Sequence, residues 1–133
     1  MTSKPNKPIM LFDCKTSQNI IGQDKFLKAF ENILNHGAYC QGPETKELDE
    51  KLAAYSGVKY CSTCGSGTDA LTLALMAWGV KEGDAVFVSS FTFVASAEAP
   101  VLLGATPIFV DSDPDTYNMD PKDLQRAIDQ VKK

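Results

Sequence analysis

The residues with the clearest chemical potential are Gly65-Ser66-Gly67-Thr68-Asp69, which lie between a short β-forming stretch and a long apolar helix-forming one. Glycines let a ligand approach the backbone closely, and the first amides of a helix point outward with no intrahelical partner. With the helix dipole, such a turn is an anion site suited to phosphate, and Thr68 adds a hydroxyl donor. No Gly-Lys-Ser/Thr follows, so this is not a Walker loop, and the glycine spacing departs from the dinucleotide fingerprint. The same residues also have a plainer reading, in which Ser66 or Thr68 simply caps the helix. The local sequence leaves both open.

Four other positions invite a role. Phe91-Thr92-Phe93 follows the apolar run Val86-Phe87-Val88. Ligands of parallel sheets sit beyond the carboxyl ends of strands, where an aromatic ring can stack on a planar group; alternatively, both rings belong to the core. Asp111 ends the run Ile108-Phe109-Val110 and could reach the same crevice, although organising the turn through Asp113-Pro114 is the preferred role. Cys61-Ser62-Thr63-Cys64 is a CxxC ahead of a helix, where a redox pair would sit. One such pair without a second pair or a suitable histidine is not a zinc motif, so two small residues flanking a tight turn is the favoured reading. His36, the only histidine, falls at a helix end and reads as a C-terminal cap rather than a base. No metal site and no catalytic residue is assigned.

The positioning elements follow from periodicity and punctuation. Residues 1–20 carry little periodicity and read as an N-terminal arm; residues 21–133 read as one domain. Asp24 is placed to cap a first helix with Phe26, Leu27, Phe30, Ile33 and Leu34 on one face, ended by His36-Gly37. Gly42-Pro43 opens a second helix, with Glu44 in its first turn and Ser56-Gly57 as its stop. A short strand is expected over residues 58–61, then the Gly/Ser/Thr turn and a helix over residues 70–78, apolar almost all round and therefore expected to be buried. Residues 85–88 form a strand with too few polar residues to be half-exposed. Residues 91–103 read as a loop and a helix, in which Pro100 predicts a kink or a late start. Residues 107–111 form another buried strand, and Asp120-Pro121 caps a last helix to about Val131. Strand and helix alternate, so the expected class is α/β: a mostly parallel sheet covered by helices.

The bulk numbers fit a single domain. The 133 residues are 44% hydrophobic and 23% charged, with net charge −4, one arginine (Arg126) and scattered lysines. No basic stripe suits nucleic acid. No apolar run approaches the ~20 residues that span a bilayer, and residues 1–8 lack the apolar segment of a signal peptide, so cytoplasmic location is expected and no membrane partner. The four cysteines are irregularly spaced and suggest no disulfide framework.

Taken in series, the blocks resemble a known family. Gly37-Ala38-Tyr39-Cys40-Gln41-Gly42-Pro43-Glu44 with Leu48 and Leu52-Ala53 resembles the opening of the DegT/StrS-type nucleotide-sugar aminotransferases. Gly67-Thr68-Asp69-Ala70-Leu71 with Leu73-Ala74-Leu75 is similar to their phosphate-binding turn and helix. Gly83-Asp84, Val86-Phe87-Val88 and Phe91-Thr92-Phe93-Val94-Ala95 resemble the next block, and the segment from Gly104 to Asp111 the one after. Ser66 stands where the family often has Asn, and Ser89-Ser90 where it often has Pro. The resemblance implies part of the fold type I large domain of pyridoxal 5'-phosphate (PLP) transferases, a three-layer αβα arrangement. It implies Gly67, Thr68 and Asp69 around the cofactor phosphate and Phe93 stacked on the pyridine ring. It implies nucleotide-linked keto-sugars aminated at the expense of an amino acid, a homodimer, and pathways such as cell-surface polysaccharide or secondary-metabolite synthesis. It also implies that the lysine anchoring PLP, and the acid facing the pyridine nitrogen, lie downstream of Lys133. The chain is thus expected to be an N-terminal fragment, inactive alone. Two alternatives stay open: a stand-alone phosphate- or partner-binding module, and a fragment of a related PLP-dependent sugar dehydratase or regulator. A redox protein built on Cys61 and Cys64 is a remote fourth reading, in which serine at both positions would abolish function.

Overall fold

Glycine and proline set most element boundaries in the computed structural model, which describes residues 10–131. The chain divides into two units between Cys61 and Ser62.

The first unit is helical: α1 (Cys14–Ile21), α2 (Gln23–His36) and α3 (Pro43–Ser56). Within the stretch read as an arm, α1 forms because the Asp13 carboxylate accepts the Thr16 N–H at 3.0 Å and closes the first turn; residues 1–9 lie outside the described residues. α2 is capped by Gly22, and Asp24 lies inside its first turn, correcting the expected cap. A carboxylate is still favourable there, since it faces the positive end of the helix dipole. Gly37 ends α2 in the left-handed region at φ 67°. α3 enters through Gly42-Pro43 as expected, with Pro43 in its first turn. Gly42 is required, because a Cβ there would lie 2.3 Å from the Ala38 carbonyl oxygen. His36 clasps this connection: its Nδ1 accepts the Ala38 N–H at 3.0 Å, so its proton sits on Nε2 and is donated to Glu44 at 3.0 Å. That hydrogen bond is the main reason the Glu44 carboxyl titrates below its ordinary value.

The second unit carries α4 (Gly67–Ala77), β1 (Ala85–Ser89), α5 (Ala95–Leu102), β2 (Thr106–Val110) and α6 (Pro121–Val131). β1 and β2 pair in parallel, Ala85 beside Thr106 through Ser89 beside Val110, with α5 as the crossover. This is the βαβ unit expected from the alternation of elements, and the chain is α/β. Its core is small: Val88, Ala95, Ala99, Ala105, Val110 and Ala127 are buried, and Pro100 is fully enclosed. Pro100 lies inside α5, so the helix neither starts late nor breaks. One missing N–H in an eight-residue helix removes one bond, and the Pro100 carbonyl still accepts from Leu103 and Ala105.

Two sequence expectations fail here for one reason. Residues 58–61 do not form a strand, because no described segment offers them a ladder. Helix α4, expected to be buried, has no buried residue, and Trp78 is 80% exposed. Apolar pattern signals what a segment can bury, but a covering surface must exist for burial to occur. β2 is likewise buried only in part, with Val110 enclosed and Phe109 exposed on the other face. No described helix is long and apolar enough to cross a membrane.

Candidate functional site

The turn ahead of α4 combines both of its sequence readings. Ser66 is the cap: its hydroxyl accepts the Asp69 N–H at 3.1 Å, and its carbonyl accepts the Ala70 N–H. The amides of Gly67 and Thr68 remain without a hydrogen-bond partner among the described residues. They point out of the helix start, where the dipole is positive. Thr68 is half-buried, and its carbonyl is held by the Thr72 hydroxyl at 3.0 Å, which stiffens this turn. The Asp69 carboxylate folds back over Gly65, where a Cβ would meet its Oδ2 at 2.9 Å. Cys64 belongs to the turn as well, its thiol donating to the Ser66 carbonyl at 3.3 Å. All four cysteines are free, and no group of metal-ligating side chains is present among the described residues.

Element lengths set where this turn stands. α4, with 11 residues, is about 16 Å long, and β1, with 5 residues, is about 16 Å as well. Residues 78–84 join the end of one to the start of the other, and both line one groove of about 400 Å³. They therefore run antiparallel, which puts the start of α4 at the carboxyl end of the sheet, the end at which ligands of parallel sheets bind.

Phe93 leaves β1 at that same end. The loop that carries it is anchored by the Ser90 N–H to the Val110 carbonyl at 2.8 Å and by the Thr92 and Ser96 hydroxyls, 3.0 Å apart. Neither phenylalanine of the Phe-Thr-Phe block is core. Phe91 pairs with Tyr117, ring centres 5.7 Å apart and tilted by 42°. Phe93 is 76% exposed and has no ring partner among the described residues. Gly67, Thr68 and Asp69 thus share one helical turn, while Phe93 reaches the same end of the sheet from a different element.

Beyond β2, Asp111 takes a structural role, as preferred from sequence. Its carboxylate accepts the Ser112 N–H at 2.9 Å and the Ser90 hydroxyl at 3.4 Å, tying together the segments that leave the two strands. Asp113 organises the next turn through the Asp115 and Thr116 amides. Two features escaped the sequence reading. The Ser89 and Ser112 hydroxyls meet at 2.9 Å, and Asp123 of α6 accepts the Asp111 N–H at 2.8 Å. Only the Asp123–Arg126 pair, at i,i+3, had a visible signature.

The Asp111 N–H first, and the Arg126 guanidinium second, hold the Asp123 carboxyl below its ordinary 3.8. The folded state therefore binds fewer protons here than the unfolded chain does, and this stabilisation is present above that pH and lost as pH falls through the folded value. Asp113, lowered chiefly by the Thr116 amide, acts in the same direction. Acid unfolding followed by circular dichroism should begin below about pH 4. Asp123→Asn, which keeps an acceptor oxygen but removes the charge, should make that acid limb shallower; an unchanged limb would show that other carboxylates dominate it.

Residues 21–133 match the model of the DegT/DnrJ/EryC1/StrS aminotransferase family. Over 120 residues the chain is 48% identical to the UDP-2-acetamido-2-deoxy-3-oxo-D-glucuronate aminotransferase of Pseudomonas aeruginosa, covering 90% of this chain and 33% of that one. It superposes on a DegT DnrJ EryC1 StrS aminotransferase from Brucella abortus with a TM-score of 0.83 and 41% identity, over 93% of this chain and 33% of that one. With Spr1654 of Streptococcus pneumoniae in its PLP form, the TM-score is 0.73 at 34% identity, over 79% of this chain and 27% of that one. The chain spans about a third of the length of these relatives. With the blocks from Gly37 onward in family order and 93% of the chain superposing on a family structure, the chain belongs to the DegT/DnrJ/EryC1/StrS aminotransferase family.

Proposed function

We propose that this chain supplies the phosphate-gripping and ring-stacking part of a PLP site, in an aminotransferase that moves an amino group from an amino acid to a nucleotide-linked keto-sugar. The observation that carries this reading is the start of α4, with two open amides and a threonine hydroxyl on one turn. The donor set fits the group: a phosphate is an acceptor-only dianion, and backbone N–H groups at a helix start are fixed donors that need no reorganisation. Gly67 and Thr68 make the direct contacts. The Asp69 amide is already held by Ser66, so Asp69 shapes the turn rather than donating to the phosphate. Phe93 offers its exposed face to the pyridine ring and holds it flat.

Bound PLP supplies the electron sink that amino-group transfer needs, and the protein orients it. None of the lysines here sits in a motif resembling the family's cofactor-anchoring lysine, so the isolated chain is expected to turn over no substrate. The similarity to a UDP-sugar aminotransferase supports the substrate class. The family resemblance supports a homodimer acting in pathways such as cell-surface polysaccharide or secondary-metabolite synthesis, and a cytoplasmic location is part of the same proposal.

A PLP titration read by absorbance and fluorescence tests the phosphate assignment. Saturable binding is expected, weakened about tenfold or more by Thr68→Ala, the loss of one hydrogen bond to a charged acceptor. Identical curves for the two proteins would remove Thr68 from the site.

A further inference from the structure

Tyr117 holds a backbone conformation that its side chain disfavours. Its φ is 59°, in the left-handed region where glycine sits freely and a bulky residue is strained. The turn around it is tightly closed. The Tyr117 N–H bonds the Asp113 carbonyl, and the Asp113 N–H bonds the Asn118 carbonyl, both at 2.8 Å. Ser112 and Met119 pair as an isolated antiparallel bridge at the base of the turn. None of these bonds uses the tyrosine ring, so glycine would serve the turn at least as well. What glycine would lose is the contact with Phe91, whose ring centre lies 5.7 Å from that of Tyr117.

Phe91 sits where the main chain is least supported. The loop that carries Phe93 is tied at its start by the Ser90 N–H to the Val110 carbonyl, and at its end by the Ser96 N–H to the Phe93 carbonyl at 3.0 Å. Between these ties, the main chain of Phe91 and Thr92 makes no backbone hydrogen bond among the described residues. The Thr92 hydroxyl reaches only forward to Ser96 in the helix that follows. The Tyr117 ring reaches Phe91 from the far side of β2, a separate part of the fold. Strained backbone persists where the surroundings hold it, and it gathers at functional sites. We infer that Tyr117 is a positioning residue for the PLP ring: by bracing Phe91 it fixes the loop that sets the plane of Phe93. This role rests on the proposed cofactor site and gives Tyr117 itself no contact with cofactor or substrate.

Tyr117→Gly tests it, because glycine relaxes the left-handed backbone and removes only the ring; the circular dichroism of the chain should be unchanged. Without ligand, NMR order parameters at Phe91, Thr92 and Phe93 should fall from the rigid range of about 0.85 towards the flexible range below about 0.6. Tyr117→Phe, which keeps the ring, should restore them. In fluorescence titrations Tyr117→Gly should weaken PLP and pyridoxal alike, by about twofold to tenfold, the range of an aromatic contact. The preference for PLP over pyridoxal should stay as in the unsubstituted chain, since the phosphate turn is untouched. With Phe93→Ala already present, Tyr117→Gly should add nothing, because the two act through one contact. The role is overturned if the order parameters do not change, or if Tyr117→Gly spares an affinity that Phe93→Ala lowers. It is also overturned if the two substitutions add, or if the preference for PLP falls, either of which marks a general structural effect. If the unsubstituted chain binds neither ligand, or Phe93→Ala changes neither affinity, the cofactor proposal fails and this role with it, whatever the order parameters show.

Discussion

Pyridoxal, the same ring without its phosphate, is expected to bind this chain about a hundredfold or more weakly than PLP in a fluorescence titration. Ring stacking alone contributes little: an aromatic pair is worth about 0.5–1.5 kcal/mol beyond the area it buries. A hydrogen bond to a charged acceptor contributes about 1.5–3 kcal/mol, and the start of α4 offers the Gly67 amide, the Thr68 amide and the Thr68 hydroxyl. Even two of these exceed the stacking term, so the phosphate should dominate. Phe93→Ala should then weaken both ligands by a similar, smaller factor, since it touches only the part they share. Equal affinity for PLP and pyridoxal would point instead to capture of the aldehyde by surface lysines, and the phosphate assignment would fail.

The second large effect concerns the core. Val110→Asp should unfold the second unit, seen as loss of its cooperative thermal transition and of dispersed amide resonances. Val110 is 0% exposed at the end of β2, and a carboxylate placed there has neither water nor a partner. An unpaired buried charge costs several kcal/mol, against the 5–15 kcal/mol or so that hold a typical domain together. The margin here is narrow, because most of the buried core side chains are alanines, which bury little apolar area. Phe109→Asp, one residue away on the opposite face at 59% exposure, should leave the isolated unit folded. If the two substitutions behaved alike, the face assignment of β2 would be wrong.

The contrast between these neighbours shows why the sequence could be read only so far. Phe109 and Val110 are both apolar in an apolar run, and period-two alternation has nothing to mark which face is inside. The same holds for α4, whose Leu71 and Leu73 read as buried but stand exposed. A helix that is apolar all round is built for neighbours on several sides, and the chain spans only a third of its relatives. The missing strand at residues 58–61 has the same origin: a strand is a pairing, and half of a pairing has no ladder. Local chemistry was easier to read. Gly37, Gly57 and Pro43 sit where their backbone preferences put them, because a left-handed cap or a fixed φ depends only on the residue itself.

The sequence by itself determined the α/β class, the order of elements, the glycine-rich turn opening a helix, and the family, since each rests on short-range backbone preferences or on motifs in series. The tertiary structure alone decided which hydroxyl caps α4, leaving Gly67 and Thr68 open, and which of the two phenylalanines is free while the other pairs with Tyr117. It alone also joined Asp123 to Asp111 across the end of the sheet and left β1 with one strand neighbour, β2, among the described residues. These are contacts between residues distant in sequence, or choices between chemically equal neighbours, and they are settled by which surfaces the fold brings together.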